Sequence, residues 1–154
     1  MKSNLFNPAS ITSMLDKLES QEDGACDTTG SLSIYRKAVS VTAEADLDLI
    51  TITQTYGAGA IAVAYAHLLV FANEVSTLKL RLYMDGVQVE ESDYLASTIK
   101  FYTLKGSKAL TGSKIVKLSL HNYNVADKGC NIVGQAAASS HYAAGLFAGS
   151  VRAS

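Results

Sequence analysis

Residues 77–91, TLKLRLYMDGVQVEE, constrain the fold more than any other stretch of the chain. Leu78, Leu80, Leu82 and Met84 alternate with Lys79, Arg81 and Tyr83, a period of two that gives a strand one apolar and one polar face. Asp85-Gly86 then meets the demand of a type I′ turn for positive φ at both central positions, and Val87 and Val89 open a returning strand. The spacing predicts a β-hairpin.

From Ser31 onward the chain reads as strand after strand. Residues 31–42 (SLSIYRKAVSVT) are rich in β-branched and aromatic side chains. Residues 45–56 alternate, but the apolar phase shifts between Leu49 and Ile50, which predicts a bulge there or a strand covered on both faces. Residues 61–72 form an apolar run with Ala62, Ala64 and Ala66 at period two; a strand is expected, with a short helix as the alternative because alanine favours helix. Small side chains at that period let another backbone or sheet approach closely. With Ile61 they are the expected subunit interface.

Residues 97–104 and 114–123 are further strands, joined by LKGSKALTGS, which fits a long hairpin end or a surface loop. In the second, Val116, Leu118 and Leu120 point one way and Lys117, Ser119 and His121 the other. Residues 129–138 and 145–152 close the series. Eight or nine short strands with no βαβ alternation predict an all-β fold, a jelly-roll-like antiparallel β-sandwich of about eight strands over residues 31–154.

The N-terminal 30 residues read as an arm. Asn7 caps and Pro8 opens a helix over 8–20, with Ile11, Met14, Leu15 and Leu18 on one stripe and Phe6 placed to staple onto Ile11. QEDGACDTTG follows as a turn-rich linker. This short amphipathic helix either caps its own sheet or docks through Phe6, Ile11, Met14, Leu15 and Leu18 on a neighbouring subunit or larger partner. Docking is the expectation carried forward.

Composition narrows the function classes. Charged residues are 18% of the 154, hydrophobic ones 48%, and alanine occurs 21 times, which favours burying part of the surface against other subunits. Thirteen basic and 14 acidic residues are interspersed, so no pull on nucleic acid or anionic membrane is expected. No apolar run reaches the roughly 18 residues that span a bilayer, and residues 61–72 are interrupted by His67. The N-terminus lacks the charged-then-apolar order of a secretory signal, so folding in a cytoplasm is expected, with Cys26 and Cys130 as free thiols.

Chemical signatures are sparse. His67, His121 and His141 share no metal-ligand spacing, and Asp46 and Asp48, on one strand face, show no contrast of environment suited to acid–base work. No serine sits in GxSxG, and Gly57-Ala58-Gly59 lacks the lysine and hydroxyl residue of a phosphate loop. No catalytic residue, cofactor or metal is expected. Tyr83, Tyr94, Tyr102 and Tyr123 are the candidates for stacking on sugars, with residues 91–96, 105–113 and 123–128 as the loops that would carry specificity.

The order of elements over residues 31–154 (LKLRLYMDGVQVEE, then IKFYTL, a glycine-bearing connection, SKIVKLSLHNYN, and a final strand) resembles the jelly-roll domains of bacteriophage virion structural proteins. These are the capsid decoration and fibre-head class, similar to the tumour necrosis factor fold. The resemblance implies a non-enzymatic homotrimer made in the host cytoplasm and attached to a larger viral shell. The alternative is a receptor- or carbohydrate-binding module such as a tail-fibre tip.

Overall fold

The structure, a computed structural model, describes residues 28–31, 36–72, 77–133 and 144–152. The expected helix over 8–20 with its docking residues, Cys26 and His141 lie outside the described residues. Among the described residues ten strands follow one another: β1 (Thr28–Ser31), β2 (Arg36–Val41), β3 (Asp46–Tyr56), β4 (Ala60–Ala72), β5 (Leu78–Met84), β6 (Val87–Glu91), β7 (Lys100–Ala109), β8 (Gly112–Asn122), β9 (Lys128–Val133) and β10 (Ala144–Arg152). They build two antiparallel sheets, a larger one of β1-β10-β4-β9-β2 with β7 on β4, and a smaller one of β3-β8-β5-β6. The fold is the expected all-β, jelly-roll-like sandwich.

Local sequence explains the best-formed parts. Asp85 and Gly86 take φ values of 54° and 75°, the positive pair a type I′ turn requires, and β5 and β6 pair around them. The phase shift in β3 is a bulge: Asp48 faces Ser119 and Ile50 faces Leu118, so Leu49 has no cross-strand partner and Ile50 regains the inward face. Residues 61–72 are strand, not helix. β4 is paired along both edges, by β7 on one side and by β10 and then β9 on the other.

The core lies between the sheets. Leu78, Leu80, Leu82 and Met84 of β5 and Val116, Leu118 and Leu120 of β8 are fully buried. They share one cluster with Ala62, Ala64, Ala66, Leu68 and Val70 of β4. Large side chains on one sheet are thus matched by small ones on the other, and each fully buried leucine contributes about 1.5–3 kcal/mol. The alanines do face another layer, but it is the chain's own second sheet. Ala62, Ala64 and Ala66 are inside, and of the four residues assigned to a subunit interface only Ile61 reaches the surface.

Two further features tie the sheets together. The stretch read as a hairpin end or surface loop is neither: β7 runs to Ala109 in the larger sheet, β8 starts at Gly112 in the smaller one, and only Leu110 and Thr111 cross between them. Leu110 is buried, and Gly112 takes a φ of 81° to make the corner. Along the side of the sandwich β6 meets β7, where Glu90 accepts a hydrogen bond from the Lys105 amide and Val89 lies against Gly106.

Asn122 secures one end. Its buried amide donates to the carbonyls of Val41, Thr42 and Ala126 at 3.1, 3.3 and 2.9 Å and accepts from the Asn124 amide at 2.9 Å and Thr77 Oγ1 at 3.3 Å. Every polar valence of the side chain is used, which fixes the loops after β2 and β8.

Candidate functional site

The outward residues of the smaller sheet come from four strands: Asp46 and Asp48 on β3, Lys117, Ser119 and His121 on β8, Lys79, Arg81 and Tyr83 on β5, and Glu91 on β6. Antiparallel register sets Asp46 beside His121 and Lys79, and Asp48 beside Ser119, Arg81 and Glu91. Alternation dictates the polarity of this face, because the opposite side chains fill the core.

Ser119 sits at the centre, buried and small. Side chains from β3 and β5 therefore meet over β8. Arg81 Nη1 lies 3.4 Å from Asp46 Oδ1 and donates to the Tyr83 hydroxyl at 3.3 Å, and Tyr83 donates to Asp46 Oδ2 at 2.8 Å. Arg81 Nε donates to Glu91 Oε2 at 2.8 Å, and Nη2 to the Tyr123 hydroxyl at 2.6 Å. Tyr123 in turn donates to Glu91 Oε2 at 2.6 Å, and Lys79 Nζ reaches Glu91 Oε1 at 2.9 Å. His121 Nδ1 lies 2.6 Å from Asp46 Oδ1. A carboxylate only accepts, so Nδ1 carries the hydrogen. Asp48 accepts from Ser119 at 2.6 Å and from Lys117.

Aromatic rings border this network. Tyr94 and Tyr123 are 52% and 43% exposed, and their rings stand 6.0 Å apart at 83°. His121 packs edge-on to Tyr123 at 4.4 Å, and the Lys79 ammonium lies 4.7 Å from the Tyr94 ring centre. The other end of the face carries Thr51, Thr53 and an exposed Ile115.

Electrostatics hold the charges in place. Partial desolvation alone would raise the Glu91 pKa, but hydrogen bonds from Tyr123, Lys79 and Arg81 outweigh it and push it down to about 2. Desolvation likewise opposes the Arg81 charge, while bonds to Glu91, Tyr123 and Tyr83 hold its pKa above the ordinary value. The Tyr83 pKa is raised by burial and by its bond to Asp46. That of Asp48 is lowered, chiefly by the Ser119 hydroxyl. At neutral pH the face is a fixed array of donors and acceptors.

Three of the four tyrosines read as stacking candidates, Tyr83, Tyr94 and Tyr123, are brought together here. Tyr102 is not: it is buried, and its hydroxyl accepts from the Ala96 amide at 2.7 Å, anchoring the loop that carries Tyr94. Of the three loops expected to carry specificity, those around Tyr94 and Tyr123 border the site. The third, residues 105–113, is mostly strand: 105–109 belong to β7 and 112–113 begin β8, at the opposite end of that strand from Tyr123. Sequence reading missed Arg81, Glu91, Lys79, His121 and Asp46 as members of one site; the available signal was their shared outward phase on strands of one sheet. His67 lies elsewhere, on the outer face of the larger sheet, stacked on Phe101 at 5.8 Å. Among the described residues no group of histidine, cysteine and acidic side chains could hold a metal ion. Cys130 is a free, buried thiol whose pKa burial pushes up to about 12.

No family model and no curated protein matches the chain. Among solved structures, the fold is similar to the EclA C-terminal domain, described as a sugar-binding protein, at 15% identity and a TM-score of 0.51 over 77% of this chain and 81% of that one. A carbohydrate-binding module, CBM36 in complex with calcium and xylotriose, matches at 16% identity and a TM-score of 0.44 over 79% and 92%. Likeness at these identities is one of fold, a β-sandwich.

Proposed function

We propose that the chain is a non-enzymatic carbohydrate-binding module whose ligand lies across the outer face of β3-β8-β5-β6. The observation that carries this reading is the pair of half-exposed rings of Tyr94 and Tyr123 set beside the locked array of Arg81, Glu91, Lys79 and Asp46. A sugar ring offers an apolar face of C–H groups that stacks on tyrosine, and a rim of hydroxyls that both donate and accept. Side chains already held by one another give up little rotamer freedom when a ligand arrives. The sugar-binding description of a protein of similar fold supports the same reading.

Glycan-array screening followed by calorimetry tests it. Binding is expected, and Tyr94→Ala and Tyr123→Ala are each expected to weaken it tenfold or more while thermal unfolding stays cooperative. An array without hits, or binding indifferent to both substitutions, overturns the reading. Attachment to a viral shell as a homotrimer is the competing proposal. It requires a stable trimer in light scattering across a hundredfold dilution.

A further inference from the structure

The larger sheet has an outer face that none of the described residues covers. Its rows are set by register: Val151, Ile61 and Ala109; Gly149, Val63 and Ser107; Phe147, Tyr65 and Lys105; Gly145, His67 and Thr103; then Leu69 with Phe101. Ile61, Tyr65, Phe101 and Val151 are 37%, 44%, 52% and 51% exposed. Lys105 is the one charged side chain among the described residues of these rows on β10, β4 and β7; the Leu69 row continues through Val133 of β9 to Arg36 of β2. A contiguous apolar face of this kind marks an interaction surface.

We propose that this face is covered by the chain's own residues 6–20, lying across β10, β4 and β7 with Ile11, Met14, Leu15 and Leu18 turned inward. Three observations converge on that occupant. The first is attachment: β1 begins at Thr28 opposite Ala148 on β10, so the preceding chain leaves the edge of this same sheet two strands from Tyr65. The seven residues 21–27 span up to about 23 Å when extended, against strand spacings of about 4.8 Å, so the segment reaches the face with chain to spare. The second is size. A helix over 8–20 is about 20 Å long, and the apolar rows from residue 61 to residue 69 of β4 run about 26 Å. The third is charge. Residues 1–27 carry two basic and five acidic side chains, whereas residues 28–154 carry eleven basic and nine acidic ones, so the segment and the body attract. The surface at issue lies on the opposite sheet from the tyrosine site and does not depend on the sugar-binding reading.

Hydrogen–deuterium exchange on the full chain tests the proposal. Amides of residues 8–20 are expected to exchange at least tenfold more slowly than in the isolated 1–24 peptide, unchanged over a hundredfold dilution. Phe101→Asp on β7, Tyr65→Asp on β4 and Leu15→Asp in the segment are each expected to abolish that slowing while β5 and β8 stay protected. Leu15→Asp changes no residue of the ten strands, so it keeps the test decisive if an outer-face variant fails to fold. Tyr94→Asp, on the other sheet, is expected to change nothing in 8–20. Exchange of 8–20 at the free-peptide rate, or protection indifferent to Leu15→Asp, overturns the proposal. Protection lost on dilution also overturns it and assigns the face to a second copy.

Discussion

The hydroxyl of Tyr123 donates to Glu91 Oε2 at 2.6 Å while accepting from Arg81 Nη2 at the same distance, so one oxygen joins both members of an ion pair that is itself 2.8 Å long. Tyr123→Phe keeps the ring and removes the joint. The expected loss of stability is about 1 kcal/mol, and Arg81→Ala, which strips Glu91 and Asp46 of their shared partner, is expected to cost about 2 kcal/mol after allowing for solvent at the surface. Urea unfolding of the two variants checks the order; equal losses would show that the hydroxyl, not the guanidinium, organises the face.

Acid should act through Glu91. Its folded pKa, near 2, lies below the ordinary glutamate value of 4.5, so its contribution is fully present above the ordinary value and fades as the pH falls toward 2. About 1–2 kcal/mol is expected to disappear over that window once screening is allowed for. In Glu91→Gln this part of the pH dependence should be flat, as thermal unfolding between pH 6 and pH 2.5 would show.

Gly106 is a steric requirement. A Cβ there would lie 2.5 Å from Val89 Cγ2, closer than real contacts come, so Gly106→Ala must displace the Val89 side chain or β6 with it. The expected cost is about 1–3 kcal/mol. Val89→Ala should recover most of it, giving a coupling energy above about 0.5 kcal/mol in a double-mutant cycle. Additive losses would mean that the two residues do not meet.

Asn122→Ala leaves the carbonyls of Val41, Thr42 and Ala126 without their shared donor. A destabilisation of about 2–3 kcal/mol is expected, with faster amide exchange in residues 42–45 and 123–127. A loss confined to a few tenths would mean that water replaces the amide.

What the sequence disclosed followed the range of the interactions. The hairpin at Asp85-Gly86 and the bulge at Leu49 are local, written in alternation and turn chemistry, and both stand where they were expected. Tyr94 and Tyr102 are eight positions apart in similar surroundings, yet one is half-exposed and the other buried. Register with β4 decides between them, because Tyr102 falls opposite Leu68 on the inward face. Alanines at period two announced a buried face without saying against what; the core shared with β5 and β8 of the same chain supplies the answer. The Arg81 network was invisible for a related reason. Its members lie far apart in the chain, Asp46 and His121 by 75 positions, and only the pairing of β3, β8, β5 and β6 makes them neighbours.

The first described strand hydrogen-bonds the last: Thr28 pairs with Ala148, and β4 takes nine of its partners from β10. During synthesis, β1 and most of one edge of β4 have no partner until residues 144–152 leave the ribosome. Closing contacts over such separations is slow, and the unpaired edges stay open to other chains meanwhile. Completion of the larger sheet therefore waits for residues 144–152, and a nascent chain is safest when translation from β4 to β10 is quick.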